Sequence, residues 1–216
     1  MTIRNLKEEI EDVIYASVSP IHYNQVPDYC FIDGGSILDV GCMSGLNALL
    51  SRHRQHFLAA ETRNDFLGVD ILKYPKQYFS PIVTADILDI DLDDQYDLVL
   101  ALHIVEHIHY QKWPQLFAKL RALVAPDGHL VVATPYDEEV PQEGHLVIHI
   151  KKDILLDFLP GGHAYTPKRR YLTFRESHES LVWAVGRFFW RILTRHPYRW
   201  RLRNCELVVI WKNDGT

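Results

Sequence analysis

Two glycines follow a short apolar run early in the chain. The run, Ile37-Leu38-Asp39-Val40, is followed directly by Gly41 and, four residues later, by Gly45. Apolar residues then recur at helical spacing, so the pattern predicts a buried parallel strand, a glycine turn and a helix beginning near Ser44. In this geometry main-chain N–H groups can approach a ligand at the carboxyl edge of a sheet. The stretch therefore predicts a small-molecule site, with a ligand-free turn as the alternative interpretation.

Acidic side chains lie at or near the ends of three predicted strands: Asp39, Asp70 and Asp86. In a doubly wound sheet the carboxyl ends of the strands line one crevice, where ligands bind. An acid after the second strand suits hydrogen bonding to both hydroxyls of a ribose. Each acid could instead cap the helix that follows it. Three acids at successive strand ends favour a binding site.

Predicted strands alternate with predicted helices over most of the chain. Apolar runs predict strands at residues 37–40, 66–70, 81–86, 96–102 and 129–134, with an amphipathic helix over 113–124. A helix over 150–158, a strand over 170–175, a helix over 178–194 and a last strand over 205–212 follow. We therefore predict an α/β fold: a Rossmann-like, doubly wound, seven-stranded sheet, mostly parallel with an antiparallel last strand.

The size and composition indicate one globular domain. Within residues 1–216 we expect an N-terminal helix and cap (1–34), a ligand-binding core (35–136) and a substrate-side segment (137–216). The N-terminus lacks the apolar core of a signal peptide, and no uncharged apolar run reaches the ~20 residues that a membrane span needs. Cys30, Cys42 and Cys205 lack CxxC spacing, which argues against disulfides and a zinc knuckle and favours a cytoplasmic location.

A basic, aromatic segment stands out against an acidic chain. Residues 168–203 carry ten Lys or Arg and two Glu, although the net charge of the chain is −5. The helix predicted over 178–194 has too many apolar residues for one core-facing stripe. It could contact a membrane surface, a lipid-linked acceptor or a second copy of the chain. The alternative is a helix packed on the sheet with its arginines facing outward.

The ordered set of motifs resembles a known family. Those motifs are Leu38-Asp39-Val40-Gly41-Cys42-Met43-Ser44-Gly45, Gly68-Val69-Asp70, Thr84-Ala85-Asp86-Ile87 and residues 96–107 and 120–130. Together they resemble the class I S-adenosylmethionine-dependent methyltransferases, in particular the type 11-like small-molecule group. The resemblance covers about residues 35–136 and implies S-adenosyl-L-methionine as cofactor.

The resemblance also implies roles for single residues. The loop from Gly41 through Cys42 and Met43 to Gly45 would hold the methionine part of the cofactor, with Asp39 near its amine. The remaining cofactor residues would bind the ribose (Asp70, Ile71), frame the adenine (Asp86, Ile87) and form the floor beneath the sulfonium (Leu102, His103). The family usually has glycine at the position of Met43, whose side chain would crowd the cofactor or point toward the substrate.

We expect a small-molecule acceptor, with oxygen as the methylated atom. A hydroxyl must lose its proton as it attacks, and histidine titrates near neutral pH. His145 lies in the loop after the fifth strand, where the resembled family often has Gly-His, and is the first candidate for the general base. His107, which like His103 follows the fourth strand, is the second candidate. His145 could instead cap the next helix.

Three other functions are compatible with parts of the chain. His103-Ile104-Val105-Glu106-His107 matches the H-x-x-E-H motif of inverted zinc peptidases, but it directly follows a strand, and no metal is expected. The basic aromatic segment would suit a nucleic-acid methyltransferase acting on ribose or a ring atom. Leu102-His103-Ile104-Val105 replaces the Asn/Asp-Pro-Pro-Tyr motif that amino-directed base methylases carry, which makes nucleic acid an unlikely partner. A catalytically inactive binding protein of the same fold is the third alternative.

Overall fold

A seven-stranded sheet organises the computed structural model of the protein, which describes residues 22–136, 146–147, 150–171, 201–204 and 206–215. The sheet strands run in the order β3-β2-β1-β4-β5-β9-β6, and β7 pairs with β8 in a separate two-stranded sheet. The strands are β1 (Ile37–Val40), β2 (Phe66–Asp70), β3 (Ile82–Thr84), β4 (Tyr96–Leu102), β5 (Val124–Pro135), β6 (His163–Tyr165), β7 (Lys168–Tyr171), β8 (Arg201–Asn204) and β9 (Glu206–Lys212).

The first five strands are parallel, and the last strand is antiparallel. Parallel registers join β1 to β2 and β4, β2 to β3, and β4 to β5. Strand β9 runs antiparallel to both β5 and β6. This arrangement confirms the predicted mostly parallel, Rossmann-like sheet with an antiparallel last strand, and it places the carboxyl ends of β1, β2 and β4 at one edge.

Apolar side chains on both faces of the sheet form the core. Along β4, Val99 and Ala101 belong to one buried group, whereas Leu98, Leu100 and Leu102 belong to another. Because neighbouring residues of a strand point to opposite faces, the two groups lie on opposite sides of the sheet.

Helices cover both of these apolar groups. The helices are α1 (Leu46–Leu50), α2 (Arg54–Thr62), α3 (Trp113–Ala122) and α4 (Lys152–Phe158). Buried residues of α3 and α4 pack in the first group, and those of α2 pack in the second. Both faces are therefore covered, as the near-continuous apolar runs of the strands require.

The structure corrects several predicted elements. The helix predicted from Ser44 is two helices, because Ser51 takes an extended backbone while its hydroxyl donates to the Ala48 carbonyl and accepts from the His53 N–H. The seven-stranded sheet includes β6, which no alternating sequence pattern predicts. Near the strand predicted over 170–175 the structure has β7, which pairs with β8 in the separate two-stranded sheet. The helix predicted over 178–194 lies outside the described residues.

Candidate functional site

A cavity of about 610 Å³ opens at the carboxyl edge of the sheet. Its volume falls within the range of small-molecule sites, which is about 300–1,000 Å³. The lining residues come from the ends of β1, β2 and β4 and from the loops that follow β2, β3 and β4. Predicted site residues that line the cavity are Gly41, Met43, Asp70, Ile71, Asp86, Ile87, Leu102, His103 and His107.

The glycine loop after β1 forms one wall of this cavity. Gly41 has φ +74°, and a Cβ atom there would lie 2.2 Å from Cγ2 of Ile104. A side chain at this position would therefore collide with the segment after β4, so the close approach of the two loops requires glycine. Gly45 (φ +79°) precedes α1 and packs against Phe79, and it is not among the residues that line the cavity.

Asp70 ties the glycine loop to the end of β2. Its Oδ2 accepts a hydrogen bond from the Met43 N–H at 2.8 Å, and its Oδ1 accepts one from the Leu72 N–H at 2.8 Å. Each carboxylate oxygen can accept a further bond, so these contacts leave acceptor capacity at the cavity wall. The predicted ribose acid therefore also fixes the shape of the loop.

Met43 adopts a left-handed backbone conformation, with φ +54°, and its side chain is 40 % exposed. This conformation costs a non-glycine residue about 1–2 kcal/mol, which explains why glycine suits this position. The side chain lines the cavity directly. Methionine in place of glycine at this position therefore strains the backbone and also places a side chain in the cavity.

Asp86 both caps a turn and lines the cavity. Its Oδ1 accepts a hydrogen bond from the Leu88 N–H at 2.9 Å. The next residue, Ile87, is buried in the core cluster and also lines the cavity, as does the exposed side chain of Ile71. The capping and binding interpretations of Asp86 are thus compatible, because the capped turn holds the carboxylate at the wall.

Asp39 and Cys42 lie behind the cavity wall, outside the set of residues that line it. Tyr23 donates its hydroxyl hydrogen to Oδ2 of Asp39 at 2.7 Å, while Oδ1 makes no hydrogen bond within the described part of the chain. Burial, opposed by this bond and aided by the charge of Asp70, raises the pKa of Asp39 to about 7. Burial likewise raises the pKa of the Cys42 thiol. The expected contact of Asp39 with the cofactor amine remains a prediction.

Three polar side chains, from Glu106, Glu206 and His22, meet beside His103. Nδ1 of His103 lies 3.1 Å from Oε1 of Glu106, and its Nε2 lies 3.4 Å from Oε1 of Glu206. Nδ1 of His22 lies 2.7 Å from the same oxygen of Glu206, and the two imidazole rings contact each other with centroids 3.6 Å apart and planes tilted by 35°. We call these four residues the His–Glu cluster.

The charges within the His–Glu cluster stabilise one another. Burial favours a neutral imidazole at His103, but interaction with Glu106 and Glu206 outweighs it and raises the pKa of His103 to about 9. Burial would raise the pKa of Glu206, but His103 and His22 outweigh burial and lower that pKa to about 2. At neutral pH the cluster therefore holds ionised Glu206 beside protonated His103.

No sequence pattern indicates this cluster, because 184 residues separate His22 from Glu206. The expectation that no metal is bound remains a prediction, but the structure brings ring nitrogens of His22 and His103 and an oxygen of Glu206 within 4.8 Å of one another. His103 lies just after β4 and His107 ends a 3₁₀ turn, Val105–His107. The helix that an H-x-x-E-H zinc-peptidase site requires is thus absent at this described position.

Of the two candidate general bases, the structure describes His107 but not His145. His107 is exposed and lines the cavity. His145 lies outside the described residues, although the next residue, Leu146, lines the cavity. The backbone N–H of Leu146 donates to the Glu106 carbonyl at 2.7 Å, so this point of the chain lies next to the turn that carries His107.

Comparisons with known proteins agree on one family. Residues 21–181 match the family described as "Methyltransferase domain". Over 105 residues the chain is 30% identical to the tuberculostearic acid methyltransferase UfaA1 of Mycobacterium tuberculosis (strain ATCC 25618 / H37Rv). That match covers 46% of this chain and 24% of the relative, so the chain spans about a quarter of that protein's length.

Solved structures share the fold at low sequence identity. A SAM dependent methyltransferase from Archaeoglobus fulgidus superposes with a TM-score of 0.56 at 16% identity, covering 98% of this chain and 100% of that one. The 1,6-didemethyltoxoflavin-N1-methyltransferase of Burkholderia thailandensis, solved with its substrate and S-adenosylhomocysteine, gives 0.56 at 13% identity over 97% and 86% of the two chains. Within the described part of this chain, every helix is too short or too polar to cross a membrane.

Proposed function

The chain belongs to the methyltransferase-domain family, and from this premise we propose that it uses S-adenosyl-L-methionine to methylate a hydroxyl oxygen of a small-molecule acceptor. One observation carries the proposal. The cavity that is lined by Asp70 and Asp86 is also lined by His103 and His107. Acids suited to a nucleoside and an imidazole suited to accept a proton, that of His107, thus share one cavity.

The residues present fit the cofactor. Gly41 lets the glycine loop pack closely against the loop after β4 at the cavity wall, Asp70 retains acceptor capacity for ribose hydroxyls, and Ile71 and Ile87 offer apolar surface for adenine. The remaining predicted residues are Asp39, Cys42, Met43 and Gly45. They would set the shape and the charge of the loop that holds the methionine part of the cofactor. When bound, S-adenosylmethionine supplies an electrophilic methyl group on a sulfonium. The protein contributes mainly by holding the acceptor in line with that group.

An acceptor hydroxyl needs a group that removes its proton. His103 is poorly suited, because its pKa of about 9 keeps the imidazole protonated at neutral pH. We therefore keep His145 as the first candidate for the general base and His107, at the cavity wall, as the second. With an acceptor in hand, His145→Ala should lower turnover by about 10²–10⁴ at unchanged cofactor affinity. Near-normal turnover would transfer the role to His107.

Apolar side chains support an acceptor with an apolar part. Leu72 and Leu146 line the cavity and are 59 % and 55 % exposed, and Ile108 lies beside them on the wall. The similarity to a tuberculostearic acid methyltransferase supports a lipid or lipid-linked acceptor over a nucleic acid. We also propose that residues 178–194 contact a membrane surface or a second copy of the chain in the cytoplasm, so that the protein works peripherally on such acceptors.

The first experiment tests cofactor binding. Calorimetric titration with S-adenosylmethionine should show binding to the wild type, and Asp70→Ala should weaken it by about 10- to 150-fold, the cost of losing hydrogen bonds to a charged group. Asp65→Ala is the matched control, because Asp65 precedes β2 and pairs with Arg63 at the opposite end of the same strand. Equal affinity in all three proteins would exclude the ribose role of Asp70.

The second experiment identifies the acceptor atom. The enzyme is incubated with S-adenosylmethionine carrying a deuterated methyl group and with panels of apolar alcohols, amines and unsaturated acyl lipids. A single labelled methyl on oxygen, located by fragmentation in the mass spectrometer, supports the proposal. A label on nitrogen or carbon would overturn O-methylation while retaining methyl transfer. A wild type that binds no cofactor would indicate an inactive relative of the family.

A further inference from the structure

We propose that His22, His103 and Glu206 bind a divalent transition-metal cation, such as Zn²⁺, beside the cavity. One ligand atom from each of the three side chains lies within 4.8 Å of the other two. Two imidazoles and one carboxylate are a ligand set that zinc and other first-row cations accept in proteins. The predicted cofactor site does not include these three residues as a group.

The distances suit a shared cation. Two ligand atoms ~2.1 Å from a tetrahedral ion lie ~3.4 Å apart. Nε2 of His103 lies 3.4 Å from Oε1 of Glu206, and this buried nitrogen makes no hydrogen bond within the described residues. Nδ1 of His22 is closer to the same oxygen, at 2.7 Å, so a cation would replace the proton that now bridges them.

A second carboxylate orients His103 as metal sites commonly require. Oε1 of Glu106 lies 3.1 Å from Nδ1 of His103, which directs Nε2 toward Glu206. Thr134 in turn donates its hydroxyl hydrogen to Oε2 of Glu106 at 3.2 Å. A carboxylate behind a ligating histidine fixes the tautomer and raises the basicity of the ring.

The buried carboxylates and the backbone conformation of His103 also support a cation site. Glu106 and Glu206 are only 1% and 2% exposed, and buried charges are normally paired or bound to metal. One dication with neutral imidazoles would balance both carboxylates. His103 also has φ +57°, a conformation in which a non-glycine residue is strained. The chain keeps an imidazole here despite that cost, which is consistent with a need for its side chain.

His103 connects this site to the cavity, because it lines the cavity while its buried Nε2 faces Glu206, which does not line it. A cation bound to Nε2 would therefore hold the His103 ring in one orientation at the cavity wall. The effect of that wall on the acceptor rests on the proposed function.

The test measures metal binding directly. Protein stripped with a chelator and dialysed is titrated with Co²⁺, followed by visible absorption, and with Zn²⁺, followed by calorimetry. We expect a single cation per chain, a Co²⁺ absorption band typical of nitrogen and oxygen ligands, and a rise in the thermal unfolding temperature. His22→Ala and Glu206→Gln should each weaken binding by at least about 100-fold, and Glu106→Gln by about 10- to 100-fold. His163→Ala, at an exposed histidine of β6, should change nothing.

Two results would overturn the proposal. One is Zn²⁺ affinity that is equal in the wild type and in both ligand variants while circular dichroism shows that all are folded. The other is loss of binding in His163→Ala, which would indicate surface histidines. S-adenosylmethionine binding is measured in parallel on metal-free protein. Cofactor binding without metal binding rejects this site and leaves the proposed function intact, whereas the reverse result rejects the proposed function alone.

Discussion

Asp39 is a buried acid whose ionisation opposes folding. Its pKa is about 7 in the folded protein, above the 3.8 of an exposed aspartate, mainly because burial disfavours the charged form. The folded state therefore binds this proton more tightly than the unfolded state. The wild type should lose stability as the pH rises from about 4 to about 7, and lose no more from this group above that range.

We expect Asp39→Asn to stabilise the protein without cofactor at pH 8. Asparagine keeps an oxygen that can accept the Tyr23 bond, and it carries no charge to bury. The free energy of unfolding should rise by on the order of 1–4 kcal/mol at pH 8, and the gain should shrink toward pH 4. Urea denaturation at both pH values measures it. Tyr23→Phe should act in the opposite direction at pH 8, and a pH-independent effect of Asp39→Asn would contradict the raised pKa.

Met43 combines backbone strain with a side chain in the cavity. Met43→Gly should tighten S-adenosylmethionine binding by about fivefold, corresponding to about 1 kcal/mol, because it removes the bulk at the loop that would hold the methionine part. Met43→Ala retains the Cβ atom and the strained backbone, so it separates the two contributions. Calorimetry on both variants is the measurement. If both bind like the wild type, the side chain faces the acceptor instead, and the acceptor KM should change.

At the scale of elements, the glycine before α1 sets how closely the loop packs on the core. Gly45 and Gly161 have the same φ, +79°, but a Cβ atom at Gly45 would lie 2.9 Å from the ring of Phe79, whereas nothing lies within 4 Å at Gly161. Phe79 is buried in the core cluster on that face. The two positions therefore share the backbone cost of a substitution and differ in the steric cost.

We expect Gly161→Ala to lower the free energy of unfolding by about 1 kcal/mol, the cost of the left-handed conformation. Gly45→Ala should cost about 1–3 kcal/mol more, because the side chain overpacks the core. Thermal and urea unfolding compare the two variants. Cofactor affinity should fall in Gly45→Ala alone. Equal destabilisation would show that Phe79 yields freely and that the contact does not fix the loop.

At the scale of the whole molecule, the basic aromatic segment predicts a docking surface on residues 178–194, outside the described residues. Flotation with vesicles that contain anionic lipid should carry the protein upward, and added salt should reverse it because the attraction is partly electrostatic. Replacing Arg187 and Arg191 with glutamate should abolish flotation. Light scattering during gel filtration tests the dimer. A monomer that does not float leaves the helix packed on the sheet with its arginines outward.

Local patterns determined the parallel half of the sheet. The strands β1, β2 and β4 begin and end where the sequence predicts, because buried parallel strands are apolar on both faces and so stand out as apolar runs. Local patterns also predict that Asp70 and Asp86 lie at the cavity wall, since carboxyl ends of neighbouring parallel strands share an edge of the sheet. Local patterns do not predict the break between α1 and α2, where the Ser51 hydroxyl donates a hydrogen bond to a backbone carbonyl.

Tertiary structure alone decided the order of the last strands and the His–Glu cluster. Strand β6 has three residues, too few for a periodic pattern, and its place depends on pairing with β9. The cluster joins a 3₁₀ turn near the N-terminus, the end of β4 and the first residue of β9. Sequence patterns report the environment of nearby residues, whereas contacts across 184 positions exist only once antiparallel β9 has paired with β5 and brought Glu206 beside His22 and His103.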